Sequence, residues 1–264
     1  MKITLLNLIF FFNFAITNCQ FLTYIIFGLE SKLPSIDSVF SVDCVIFGFD
    51  AGELKILLIE RNEEPFKDWL ALPGYFVEQN ESIDDAASRI LYELTGLNDL
   101  HMEQFHTFGE LNRHPQGRVI TVAYYALIRT SGKKELRPIS AYAKKAFWHP
   151  VNDLPKLAFD HTKIFETGFS KIRRRLNTQP IAFELLPEKF TLTQLQSLYE
   201  AIENRKFDKR NFRKKMLGFG FLKELNEKEK DVSYRAAKLY RFDKRRYMKV
   251  LSDEGGLENQ AVNG

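Results

Sequence analysis

Residues 74–97 read GYFVEQNESIDDAASRILYELTGL, and the reading of this stretch decides the fold of the chain's first half. Ile83, Ala86, Ala87, Ile90, Leu91 and Leu94 recur at three- and four-residue spacing, which predicts a helix over Asp84–Thr95 with one apolar face. Gly96 supplies the stop, since a glycine just past the last turn accepts the left-handed backbone that ends a helix. Positions 90, 93 and 94 share a face of that helix. Only one of them, Glu93, carries a charge; Ile90 and Leu94 are aliphatic.

Upstream, SVDCVIFGF (41–49) and LKILLIE (54–60) are β-rich runs joined by Asp50-Ala51-Gly52-Glu53, the pattern of a hairpin. Downstream, RVITVAYYALI (118–128) predicts a strong strand, Ala146–Trp148 a short one and Thr162–Leu176 a helix. The texture changes near 177–180. Thr191 and Gln194 then stand at capping-box spacing ahead of an apolar stripe of Leu195, Leu198, Tyr199 and Ile202. Asp208 is the expected cap of a second helix ending near Leu217. Two β-rich pieces, Phe219–Leu225 and Tyr234–Phe242, flank a charged loop. Helix, turn, helix and hairpin in that order predict a winged helix-turn-helix.

Composition fits a folded protein: 45% of residues are hydrophobic and 27% charged, which excludes a disordered chain. The net charge is +4, but residues 205–249 hold 17 Lys/Arg against 6 Asp/Glu, an excess larger than that of the whole chain. One basic region on an otherwise acidic molecule points to a polyanion, nucleic acid first. Two cysteines, Cys19 and Cys44, give neither a disulfide framework nor a metal-ligand pair, and Cys44 is expected as a small core residue. Ile3–Phe27 is apolar but broken by Asn7, Asn13, Asn18 and Gln20. It is read as a start placed too early, ahead of a membrane anchor or signal peptide, and the protein is expected in the cytoplasm.

Residues 74–97 resemble the Nudix box, G-x5-E-x7-R-E-U-x-E-E-x-G-U with U aliphatic. The register that ends on Gly96-Leu97 places Glu81 on the first glutamate and Arg89 on the arginine, with Tyr75 where the box has glycine. Box chemistry needs a divalent cation held by several carboxylate oxygens. With Ile90 and Leu94 in two of the three glutamate places, that site is expected to be lost while Glu81 and Arg89 keep the scaffold. No catalytic residue, metal or cofactor is therefore expected.

The box, together with VDCVIFG (42–48), NRHPQGRV (112–119), AYYAL (123–127), LAFDH (157–161), LLPEKFTLTQLQSLYEAI (185–202), DKRNFRKK (208–215) and RAAKLYRF (235–242), is similar to the Nudix-related transcriptional regulators. That family fuses a Nudix domain to a C-terminal winged helix. It includes ADP-ribose-sensing regulators of NAD synthesis (the NrtR type) and sugar-responsive regulators of the arabinose (AraR) type. The resemblance implies an α+β protein: a Nudix α/β/α sandwich on a mixed sheet at 37–178 and a winged helix at 179–250. Residues 1–36 form an extension and 251–264 a disordered tail. The degenerate box looks closer to the AraR type, so a sugar is the first expectation for the effector and ADP-ribose the second. Family members act as homodimers on duplex operators.

Ligands of Nudix domains lie over the sheet beside the box helix. Asp43, Arg61, Glu81, Arg113, Arg118, Asp160 and His161 are the expected polar lining, with Trp69, Phe76 and Tyr124 as stacking faces. Carboxylates beside aromatic faces suit a sugar; clustered arginines suit a phosphate. Both sets are present. For DNA the candidates are Lys209, Arg210, Asn211, Arg213 and Lys214 on the second helix of the motif, with Phe212 and Met216 facing inward, and Arg235, Lys238 and Arg241 on the wing. The competing expectation is a pyrophosphohydrolase acting on ADP-ribose or a related nucleoside diphosphate.

Overall fold

The computed structural model describes residues 39–129, 136–229 and 236–249. The N-terminal extension, Arg235 and the expected disordered tail lie outside the described residues. The described residues form one compact unit.

β1 (Val39–Asp50) and β2 (Glu53–Arg61) make the expected hairpin, with Phe47 opposite Ile56 and Asp50 opposite Glu53. β1 is the spine of the sheet. It runs antiparallel to β2 and to β4 (Gly74–Phe76), and parallel to β6 (Val119–Arg129) over Val39–Phe49. β3 (Leu70–Ala71) and β7 (Ala143–Pro150) pair with β2, and β5 (Glu103–Phe108) with β6, completing a mixed seven-stranded sheet.

Successive residues of β1 point to opposite faces, and both faces are covered, so the strand reads as an unbroken apolar run rather than an alternation. Val42, Cys44 and Ile46 pack in one core cluster with Ala86, Ala87, Ile90, Leu91 and Leu94 of α1 (Ile83–Thr95). Val45, Phe47 and Phe49 join Ile164, Phe165, Ile172 and Leu176 of α2 (His161–Thr178) in the other. The result is the α/β/α sandwich that the resemblance implied. Ser82 caps α1 by accepting from the Asp85 amide at 3.1 Å, and Gly96 ends it at φ 77°.

Beyond α2 come α3 (Ala182–Leu185), β8 (Phe190–Thr191), α4 (Leu192–Glu203), α5 (Lys209–Gly218), β9 (Leu222–Lys228) and β10 (Lys238–Phe242). β8, β10 and β9 form a small antiparallel sheet, and the whole is a winged helix. Both bonds of the capping box form: Gln194 N donates to Thr191 Oγ1 at 3.1 Å, and Thr191 N to Gln194 Oε1 at 2.8 Å. Asp208 caps α5 through the Asn211 amide at 2.8 Å. The first wing strand starts three residues later than the composition suggested, because Gly220 adopts φ 73° and turns the chain there.

The winged helix is docked on the sandwich. Leu195, Leu198 and Ile202 of α4 lie fully buried in the same cluster as β1 and α2, at about 1.5–3 kcal/mol each. Arg173 Nε donates to the Ile202 carbonyl at 2.7 Å, and Arg129 Nη2 to that of Phe183 at 3.3 Å. No helix among the described residues is long and apolar enough to cross a membrane.

Candidate functional site

Arg89, at the middle of the box helix, ties the preceding loop to α1. Its Nε donates to Glu81 Oε2 at 2.9 Å. Nη2 donates to Glu81 Oε1 at 2.6 Å and to the Phe76 carbonyl at 3.1 Å. Nη1 reaches Glu93 Oε2 at 3.2 Å. The bond from Arg89 holds the Glu81 carboxyl below its ordinary range, and the Glu78 amide adds to this at 2.8 Å. Glu93 is therefore engaged as a partner of Arg89. Ile90 and Leu94 are 0% and 1% exposed, packed in the apolar cluster beneath α1. A divalent cation needs several free oxygens, and the donor set at the box does not fit one. Among the described residues no group of three or more His, Cys, Asp or Glu is placed to hold a metal ion.

On the other side of β1, at the N-terminus of α2, lies an open cleft with a cavity volume of about 60 Å3. Asp43 is its buried centre. Asp43 Oδ1 stands 3.2 Å from His161 Nε2, and Oδ2 accepts from Thr121 Oγ1 at 2.9 Å and lies 3.6 Å from Arg113 Nη2. Thr121 in turn bonds Ser41. The Leu72 amide donates to His161 Nδ1 at 3.0 Å, so the ring proton sits on Nε2, facing Asp43. Burial alone would raise the Asp43 carboxyl; His161, Arg113 and Thr121 outweigh it and hold the group below its ordinary range. Arg113 also grips Asp160 with two bonds, Nε–Oδ2 at 3.0 Å and Nη2–Oδ1 at 2.8 Å. Gly74 permits this arrangement, since a Cβ there would fall 1.9 Å from Asp43 Oδ1.

The cleft has aromatic walls. His114 stacks on Phe159 at 4.8 Å and 13°, and Phe76 meets His114 edge-on at 5.9 Å. The Arg61 guanidinium also lies over the Phe159 ring, 4.8 Å from its centroid, with Nε donating to the Pro65 carbonyl. Burial and the two arginines together push His114 towards its neutral form.

Five of the ten residues expected at the ligand site line this cleft: Asp43, Arg61, Phe76, Arg113 and His161. Asp160 stands behind Arg113 as its partner. Trp69 is half-exposed and reaches the site only through Phe66, against which it packs edge-on at 5.3 Å. Glu81 belongs to the Arg89 scaffold. Arg118 donates to the Gly109 carbonyl, just past β5. Tyr124 is on the far face of the sheet, bonded to Asp84 of α1, because it lies opposite Cys44 in the parallel register and not beside Asp43. The sequence reading passed over His114, Phe159, Tyr75 and Glu63, which do line the cleft. His114 and Phe159 sit inside two of the family-like stretches, NRHPQGRV and LAFDH, and that was the available signal.

The second charged surface is on the winged helix. Phe212 and Met216 are buried, and Lys209, Arg210, Asn211 and Lys214 stand exposed along α5. Arg213 does not share their exposure: its Nη2 lies 3.5 Å from Thr193 Oγ1, and its Nε is buried without a hydrogen-bond partner. On β10, Lys238 pairs with Glu224 at 2.5 Å and Arg241 with Glu188 at 3.6 Å. Exposed pairs of this kind contribute little to stability and open readily to a phosphate.

A sandwich with an apolar box face, a separate polar cleft and a docked basic winged helix defines a Nudix-type domain joined to a DNA-binding module. Residues 38–167 match the NUDIX domain profile and residues 182–242 that of the NrtR DNA-binding winged helix domain. The chain is 35% identical over 217 residues to the ADPR responsive transcriptional repressor NtrR of Acinetobacter baylyi, covering 81% of this chain and 84% of that protein. It is similar to the crystal structure of Shewanella oneidensis NrtR complexed with a 27mer DNA. The TM-score is 0.62 at 28% identity, over 77% of this chain and 93% of that one. It is also 40% identical over 112 residues to the ADP-ribose pyrophosphatase of Methanocaldococcus jannaschii, spanning 42% of this chain and 64% of that enzyme. The chain belongs to the NrtR family of Nudix-domain DNA-binding regulators.

Proposed function

We propose that the chain is a transcriptional regulator whose Nudix cleft binds ADP-ribose or a close nucleoside diphosphate relative without hydrolysing it. The carrying observation is the division of labour around β1. Arg61 and Arg113 line the cleft beside aromatic faces, while the box positions that would hold a metal are Ile90 and Leu94. Guanidinium groups suit a diphosphate through charge-assisted bonds, and the aromatic wall formed by His114 and Phe76 suits a base. The Acinetobacter relative's ADPR responsiveness supports this reading. A sugar, the first expectation from the sequence, fits less well. Asp43, the carboxylate best placed for sugar hydroxyls, already receives Thr121, His161 and Arg113. None of the relatives reported above is named for a sugar.

Duplex DNA is the second ligand, read through Lys209, Arg210 and Asn211 of α5, with Lys214, Lys238 and Arg241 on phosphates. A cytoplasmic homodimer would place two such helices on half-sites about 34–36 Å apart. Operators selected from a random duplex library, labelled and followed by fluorescence anisotropy, test the proposal. ADP-ribose should change the affinity and arabinose should not, and Arg113→Ala should abolish the response. Release by arabinose with no effect of ADP-ribose would restore the sugar reading; failure to select any duplex would remove the regulator reading.

A further inference from the structure

The match to the family's winged helix ends at residue 242, but the basic run continues. Residues 243–249 read DKRRYMK, four basic in seven, and residues 244–249 are helical. Asp243 starts the turn: the Arg246 amide donates to its Oδ1 at 3.1 Å and the Tyr247 amide to its carbonyl at 3.0 Å. Its own amide donates to the Phe221 carbonyl at 2.8 Å, so the turn is bonded to the root of the wing.

Aromatic contacts fix it further. The Tyr247 ring packs on Phe221 at 5.8 Å and on Phe242 at 5.7 Å. Phe221 stacks on Phe219 at 5.2 Å and 9°, and the Lys215 ammonium of α5 lies 6.0 Å from the Phe219 ring. A line of contacts therefore runs from the C-terminal end of the DNA-reading helix to this turn. Lys244 and Arg245 are exposed on it. The adjoining carboxylate, Asp243, faces Arg246 at 3.5 Å. A run of charge that only kept the chain soluble would need no such anchor.

We propose that residues 244–249 are a third DNA-contacting element, in which Lys244 and Arg245 grip the phosphate backbone of duplex DNA without reading bases. The proposal rests on the regulator reading of α5 and the wing. Each neutralised phosphate releases condensed counterions, so a non-reading contact shows itself in the salt dependence of binding and acts on every sequence alike.

The test uses the full chain, a mixed-sequence duplex of about 30 base pairs and a selected operator, with affinity measured across a salt series. Lys244→Ala/Arg245→Ala should lower the slope of log affinity against log salt by about 1.8, that is about 0.9 for each lost phosphate contact. It should weaken both duplexes by the same factor, and Lys244→Arg/Arg245→Lys should restore the slope. Both side chains are exposed, so an unchanged melting temperature confirms that folding is not the cause. Wild-type binding with an unaltered slope in the double alanine variant overturns this inference alone. A wild-type chain that binds neither duplex overturns the regulator reading and this inference with it.

Discussion

Two groups of charge in the sandwich use the same chemistry and end in opposite states. Around Arg89, every carboxylate within reach is committed to the guanidinium: Glu81 with two bonds, Glu93 with one and Glu78 at 3.7 Å. The neighbouring helix positions are aliphatic and buried, so the group closes on itself and holds a loop to a helix. Around Asp43, the charges are more deeply buried but border an open cleft, and Arg113 is shared between Asp43 and Asp160. The difference teaches that one face of β1 carries a closed scaffold with aliphatic residues in the box positions while the other borders open space, which is the contrast the proposed binding without hydrolysis rests on.

The largest effect that could break this contrast comes from rebuilding the box. Ile90→Glu with Leu94→Glu would place two carboxylates in a closed apolar cluster, and should destabilise the fold by roughly 5 kcal/mol or more without conferring hydrolysis. Denaturant unfolding measures it; a stable double variant that cleaves ADP-ribose in magnesium would mean the old site is still latent. Next comes Arg113→Ala, which leaves Asp43 and Asp160 without their cation. A loss of about 3–5 kcal/mol is expected, together with loss of ligand binding in calorimetry. Arg89→Ala should cost less, about 1.5–3 kcal/mol for its charged hydrogen bonds to Glu81, since that group is partly solvated and its carboxylates can turn to water. Its decisive readout is that ligand affinity per folded molecule stays near wild type; a loss matching that of Arg113→Ala would merge the two groups into one site.

The smallest effect is a pH dependence. Asp43 ionises more readily folded than unfolded, so its contribution to stability is present above the unfolded carboxylate pKa of about 3.9 and is lost as pH falls through the lower folded value. Acid unfolding of wild type should therefore steepen below about pH 4 relative to Asp43→Asn. Parallel acid limbs for the two proteins would remove Asp43 from the set of groups that stabilise as anions.

Much of this was legible in the chain because it is local. The α1 stripe, its glycine stop, the Thr191–Gln194 capping box and the Asp208 cap are all written within a few residues of one another, and so is the loss of the box glutamates. β8 is two residues long and exists only because Tyr240 and Leu239 come to pair with it from about fifty residues away. The face of the sheet taken by each side chain was not legible either. β1 and β6 are buried on both sides, so their sequences carry no alternation and do not show that Tyr124 faces α1 while Asp43 faces the cleft. Arg113 and Asp160 are 47 residues apart; nothing short of the folded chain shows that they share two hydrogen bonds.

The most direct measurement combines release and turnover in one tube. Full-length protein on a labelled operator is given ADP-ribose and magnesium, anisotropy is followed, and the nucleotide is then recovered and resolved by chromatography. The account predicts a shift in DNA affinity with ADP-ribose recovered intact. Stoichiometric or greater conversion to AMP and ribose phosphate within minutes would contradict it.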